Sequence, residues 1–230
     1  MFFFYASLAL YLIGMLFIFL YSLSQAHLLF HYLRAVKSNP ENPHHSLEEL
    51  PMVTIQLPIY NEKYVVERLI AAVATIQYPK HLLEIQILDD STDESSVLIQ
   101  EKLKMYPEIN FQYHPRSNRE GYKAGALVEG LLVCKGEFIA IFDADFIPDT
   151  DFLMRILPYF NQSEIGMVQT RWTHLNKNYS WMTKLQAFAL DAHFVVEQIG
   201  RNAQGAFINF NGTAGIWRKT CIEDAGGWSA

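Results

Sequence analysis

The chain has 230 residues, half of them hydrophobic, with a net charge of −6 and two cysteines. That length supports a core of domain size, and the modest charge on an apolar composition excludes intrinsic disorder and a nucleic-acid partner. Cys134 and Cys221 lie far apart, so there is no disulfide framework and no metal motif, in keeping with a reducing compartment.

The hydrophobicity is uneven. Met1 to Leu33 contains no Asp, Glu, Lys or Arg and is mostly Phe, Leu, Ile, Tyr and Ala. About 20 apolar residues span a bilayer, so residues 1–34 read as a retained transmembrane helix. A signal peptide needs a basic start and a shorter apolar centre, whereas this chain begins MFFFY. Arg34 and Lys37 follow at once and place the remainder on the cytoplasmic side. His27 and His31 sit one helical turn apart, but no acid lies near them, and they read as interfacial histidines rather than metal ligands. Residues 35–51 contain Pro40, Pro43 and Pro51 and read as a linker.

Residues 52–230 form the expected folded domain. Met52 to Leu57, Glu84 to Leu88, Ile109 to Tyr113 and Glu137 to Phe142 are strand-like runs. Between them lie helical patterns over Glu62 to Ile76, Thr92 to Met105 and Gly121 to Val133. A long helix is expected over Tyr179 to Ile199, with Leu185, Phe188, Phe194 and Val195 available for packing. Ala206 to Arg218 then reads as short strands around a glycine-rich turn. Strands alternating with helices imply an α/β fold: a mainly parallel sheet with helices on both faces.

In such sheets ligands bind beyond the carboxyl ends of the strands. Tyr60-Asn61-Glu62, Asp89 to Asp93, and Asp143 with Asp145 all fall at those ends. In an extended segment Asp143 and Asp145 would point to one side, roughly 7 Å apart. Two carboxylates that close need a positive partner, and a hard divalent cation shared with phosphate oxygens supplies one; a solvated strand end, where Asp is common before a turn, is the other reading. Asp89 and Asp90 could accept hydrogen bonds from a base or ribose, while Ser91 and Glu94 have the spacing of a helix capping box. Arg116, Arg119 and Lys123 bring positive charge to a helix mouth at Gly121, either a ready anion site or an exposed basic loop. Asn161, Asn178 and Asn211 each open a glycosylation sequon, accidental if the domain is cytosolic.

Together the residues resemble family 2 glycosyltransferases of the cellulose-synthase type, most closely the cellulose-synthase-like A and C groups that make mannan or glucan backbones. The resemblance is carried by PIYNE (58–62), LDDSTD (88–93), GYKAGAL (121–127), IFDADF (141–146), QTRW (169–172) and FNGTAGIWR (210–218). It implies a GT-A nucleotide-sugar-binding fold after a membrane helix, and an inverting hexosyl transfer from UDP-glucose or GDP-mannose to a growing β-glycan. Tyr60, Glu62, Asp90, Lys123 and Asp143 would then contact the nucleotide sugar. Asp145 with Asp143 would hold Mg or Mn. Asn211, Gly212 and Thr213 would lie near the acceptor. The family's general base, an Asp several residues after Gly226-Gly227-Trp228, is expected beyond Ala230, so the sequence reads as C-terminally truncated and without a base of its own. The implied partners are a nucleotide-sugar donor, a glycan acceptor and the lipid of a plasma or inner membrane. A lipid acceptor (ceramide or polyprenyl phosphate) and a non-catalytic nucleotide-sugar-binding membrane protein are the alternatives.

Overall fold

The structure is a computed structural model and describes residues 1–38 and 49–228. Most of the expected linker, residues 39–48, lies outside the described residues. The chain divides into two compact units, Met1–Asn42 with Arg171–Asn209, and Pro43–Thr170 with Phe210–Ala230.

The second unit carries the sheet. Its strands are β1 (Val53–Ile59), β2 (Leu83–Asp89), β3 (Phe111–Pro115), β4 (Phe138–Ile141), β5 (Met167–Gln169) and β6 (Gly215–Arg218). They form one six-stranded sheet in the order β3-β2-β1-β4-β6-β5. The first four are parallel, and β6 runs antiparallel to both β4 and β5. Strand order reverses between β1 and β4, which opens a crevice at their carboxyl ends. β1, β2 and β4 are buried nearly throughout because both faces are covered.

Helix α2 (Val66–Ala74) buries Val66, Leu69, Ile70 and Val73, one stripe at helical spacing. It packs with α3 (Ser95–Leu103). Helix α4 (Tyr122–Val133) packs on β1 and β2. Beneath it the even-numbered strand residues form a buried polar ladder. Thr54 Oγ1 donates to Glu84 Oε2 at 2.8 Å, and Gln56 Nε2 to Gln86 Oε1 at 3.0 Å. The Lys135 amide donates to the same Glu84 oxygen at 3.0 Å. Gly130 leaves room for this ladder, since a Cβ there would lie 2.7 Å from Gln56 Nε2. After β4, Phe142 is 1% exposed and packs edge-on against Phe152 of α5 (Phe152–Ile156), at 4.9 Å between centroids. Helix α8 (Lys219–Asp224) closes the described chain.

The first unit contains α1 (Phe2–Ser38), a 37-residue helix long and apolar enough to cross a membrane. It runs past the expected end at residue 34, because Ala35, Val36 and Lys37 interrupt neither the backbone bonds nor the helical pattern. Residues 171–209 cluster with α1 rather than with the rest of the expected 52–230 domain. The expected helix there is one uninterrupted helical run with a π-helical middle: α6 (Trp181–Asp191), a wide turn of π-helix over Ala192–Gln198, and α7 (Ile199–Ala203). A capping box between Ser180 and Thr183 starts α6. Phe194 is buried against Trp172, but Leu185 and Phe188 are exposed, contrary to their expected packing. Gly200 lets α7 approach α1 closely: a Cβ there would sit 2.6 Å from the Leu28 carbonyl oxygen. His27 Nε2 lies 3.1 Å from Gln204 Oε1, a structural contact.

Candidate active site

Three chain reversals meet at the carboxyl ends of β1, β2 and β4. The first two are laced together. The Asp90 amide donates to the Ile59 carbonyl at 2.9 Å, and the Asn61 amide donates to the Ser91 hydroxyl at 3.0 Å. Asn61 Oδ1 in turn accepts from the Thr92 amide at 2.9 Å. Asn61 has a left-handed backbone, φ 57°, a conformation Asn tolerates better than most residues. This corrects the capping-box reading: the Ser91 hydroxyl is taken by Asn61, and α3 begins at Ser95, whose amide donates to Asp93 Oδ1.

Asp89 and Asp90 part ways because successive strand residues face opposite sides of a sheet. Asp89 is 2% exposed and accepts from the Ser91 amide, the Ser96 hydroxyl and the Tyr113 hydroxyl, so it is structural rather than a ligand for a base or ribose. Burial first, and then the Asp89 bond, raise the Tyr113 pKa above the usual phenol value. Asp90 is paired through both oxygens with Arg116, at 2.6 and 2.7 Å. Arg116 is therefore not part of an open anion site. Arg119 lies with its guanidinium carbon 3.2 Å from the centroid of the Tyr60 ring, a cation–π stack.

The segment after β4 is not extended. Residues 144 and 145 form a turn, closed by the Phe146 amide donating to the Asp143 carbonyl at 3.1 Å, so the two-apart rule of a strand does not orient Asp143 and Asp145. Glu62 shares the field of both. Its pKa is raised, first by desolvation and then by the charges of Asp145, Asp143 and Asp93. Lys123 answers part of that charge, with its Nζ bonded to Asp143 Oδ1 and, at 2.8 Å, to the Gly212 carbonyl. Arg68 on α2 donates to the Asp145 carbonyl at 3.4 Å.

The turn 211–214 is held against the same acids. The Asp143 amide donates to the Thr213 hydroxyl at 2.9 Å, and the Ala214 amide to the Ile141 carbonyl at 2.7 Å. Gly212 and Ala214 are both left-handed, φ 78° and 52°. Gln169 fixes the bend with one side-chain amide: Nε2 donates to the Thr213 and Ala214 carbonyls, and Oε1 accepts from the Asn211 amide. Asn211 Nδ2 is buried with no partner among the described residues.

Tyr60, Glu62, Lys123, Asp143, Asp145 and residues 211–213 thus share one crevice mouth, whereas both Asp90 oxygens are engaged by Arg116. Gln169 and Arg68 were not singled out from sequence as individual residues. Gln169 stood within the QTRW stretch, but nothing local marked its amide as a clamp on a turn more than 40 residues away. Among the described residues, no group of three or more His, Cys, Asp or Glu side chains can hold a metal on its own.

The sequence model described as Glycosyl transferase family 2 matches residues 54–223. The chain is 43% identical over 203 residues to probable glucomannan 4-beta-mannosyltransferase 2 of Oryza sativa subsp. japonica, covering 84% of this chain and 35% of that protein. It is 45% identical over 208 residues to glucomannan 4-beta-mannosyltransferase 1 of Cyamopsis tetragonoloba, covering 85% and 39%. The chain therefore spans little more than a third of the length of these relatives. Among solved structures, it is similar to the mannosyltransferase PcManGT from Pyrobaculum calidifontis in complex with GDP-Man and Mn2+. That match has a TM-score of 0.67 and 22% identity, and covers 90% of this chain and 57% of the other. Staphylococcus aureus TarS in complex with UDP matches with a TM-score of 0.54 and 14% identity, over 76% and 48%. Likeness at these identities shows the fold, which is the GT-A type expected from the sequence.

Proposed function

The chain belongs to glycosyl transferase family 2, and from that premise we propose that it is the donor-binding part of a membrane-bound, inverting enzyme that transfers a hexose to a growing β-glycan. The observation that carries this reading is the convergence of Glu62, Asp143, Asp145 and Lys123 with the 211–213 turn at the β1/β4 crevice. The relatives' names favour mannose, so GDP-mannose is the proposed donor, ahead of UDP-glucose.

Tyr60, Glu62 and Lys123 would hold the nucleotide. The acids fit a hard cation, because they offer only oxygen donors and Lys123 answers only part of their charge; the Glu62 pKa is raised first by desolvation and then by the charges of Asp145, Asp143 and Asp93. Asp145, with Asp143, would hold Mg or Mn, which when bound offsets charge on the departing diphosphate. Lys123 adds a fixed positive charge beside the same carboxylate, and Asn211 Nδ2 offers an unused donor at the acceptor side. Helix α1 would anchor the chain, with the crevice on the cytoplasmic side that Arg34 and Lys37 indicate.

Donor binding tests the reading without requiring turnover. Titrating the chain in lipid nanodiscs with GDP-mannose and UDP-glucose, each with and without Mn, should show Mn-dependent binding that is tighter for GDP-mannose. Asp145→Asn should abolish the Mn-dependent increment while the melting temperature stays within a few degrees. Binding indifferent to Mn and to Asp145→Asn refutes the metal–diphosphate assignment, and tighter UDP-glucose binding reverses the donor.

A further inference from the structure

Arg116 opens the loop after β3, and the next four residues of that loop are exposed, yet the Arg116 side chain is only 5% exposed. Its guanidinium is fully engaged. Nε donates to Asp90 Oδ1 at 2.6 Å, and Nη2 to Asp90 Oδ2 at 2.7 Å and to the Tyr122 carbonyl at 3.1 Å. Nη1 donates to Glu129 Oε1 at 3.0 Å and to the Glu120 carbonyl at 3.3 Å. One side chain thus joins the end of β2, the middle of α4 and both carbonyls that flank Gly121.

Those carbonyls lie in an unfavourable bend. Gly121 and Tyr122 are both left-handed, φ 68° and 51°, and at Tyr122 the Cβ makes that conformation costly. A strained bend persists only where its surroundings hold it. Here the holding donor is Arg116. Gly125 makes room for the arrangement, since a Cβ there would lie 3.1 Å from Arg116 Nη1 and 2.0 Å from the Glu120 carbonyl oxygen. The bend carries two of the site's cationic arms. Arg119, just before it, stacks on Tyr60, and Lys123, just after it, reaches Asp143 and Gly212.

We infer that Arg116 is a positioning residue for the donor half of the site: its fork locks the 120–122 bend to Asp90 and so aims Arg119 and Lys123 into the crevice. The inference rests on the donor-site reading above. Arg116 acts through the bend, because its own donors are all spent on protein atoms. Lysine keeps the charge but has no planar fork, so it cannot bond both Asp90 oxygens and both carbonyls at once.

The test compares the chain with Arg116→Lys and Arg116→Ala in lipid nanodiscs, by hydrogen exchange and by GDP titration with Mn. Both variants should lose protection at the Tyr122 and Gly125 amides, which bond the Arg119 and Gly121 carbonyls, while β1 and β4 keep theirs. GDP affinity should fall on the order of 10- to 100-fold, the scale for losing a residue that orients binding groups. In Arg116→Ala, millimolar guanidinium but not methylammonium should restore both protection and affinity. Unchanged protection at the bend in Arg116→Lys overturns the inference. So does a loosened bend with undiminished GDP affinity, or a uniform loss of protection that guanidinium does not rescue. If the parent chain binds no GDP, the donor-site reading fails, and the exchange pattern still decides whether Arg116 holds the bend.

Discussion

Gly125→Ala puts a methyl group where the main chain leaves no room. The Cβ would lie 2.0 Å from the Glu120 carbonyl oxygen and 3.0 Å from its carbon, so the closer contact falls roughly 1.5 Å inside ordinary van der Waals separation. The obstacle is backbone rather than a flexible tip, so the Glu120 carbonyl must move and give up its bond from Arg116 Nη1. Overpacking of this kind costs about 1–3 kcal/mol, and losing a hydrogen bond to a charged group roughly 1.5–3 kcal/mol. Alanine returns about 1 kcal/mol through its better helix propensity in α4. The balance is a net destabilisation of about 1.5–5 kcal/mol, on the order of 3–20 °C in Tm for a chain of this size. Scanning calorimetry in nanodiscs reads the stability, and GDP titration with Mn reads the site, where affinity should also fall. A variant that melts at or above the parent's temperature and binds GDP equally well refutes the reasoning, because helix propensity alone predicts that outcome.

Two further substitutions test the charges. Glu84→Ala leaves the buried Thr54 hydroxyl and Lys135 amide without their acceptor, and should cost about 2–5 kcal/mol in urea unfolding; a loss below roughly 0.5 kcal/mol would show the ladder to be unimportant. Glu62 has its folded pKa raised, by burial and by the charges of Asp145, Asp143 and Asp93. The native state therefore holds its proton more tightly than the unfolded chain does. That contribution to stability is present below the unfolded pKa and is lost as pH rises through the folded one. In metal-free thermal melts from about pH 4 to 8, Glu62→Gln should lose this part of the pH dependence and gain on the parent as pH rises. Parallel profiles would remove Glu62 from the acidic cluster.

Much of the sheet was legible because burial on both faces leaves a local signature. VTIQLPI, LEIQILD and FIAI are short, largely apolar runs bounded by turn residues, and all three are strands. The short β5, α5 and α8 were missed, since three to six residues carry too little periodicity to register. Residues 206–212 were expected to contain strand and do not; at Asn211 and Gly212 the backbone bonds to the Gln169 and Lys123 side chains rather than to a ladder. The long helix was recognised, but its π-helical turn was not, since a single widened turn leaves the apolar spacing almost unchanged.

The sequence by itself determined which chemistry was available: acids at three strand ends, basic residues at a helix mouth, and an uncharged stretch long enough to cross a bilayer. These follow from composition and local period, which any segment carries with it. Only the tertiary structure decided which of those groups are tied up by partners within the protein. Asp89 and Asp90 are neighbours in sequence, yet the sheet's alternation sends one to Tyr113 and Ser96 and the other to Arg116. Ser91 has a cap's spacing, but its partner is Asn61, 30 residues earlier. Lys123 joins Asp143 to the Gly212 turn, 89 residues from itself. A charged side chain's role is set by the partner that satisfies it, and here those partners come from other strands and loops, brought together only when the sheet closes.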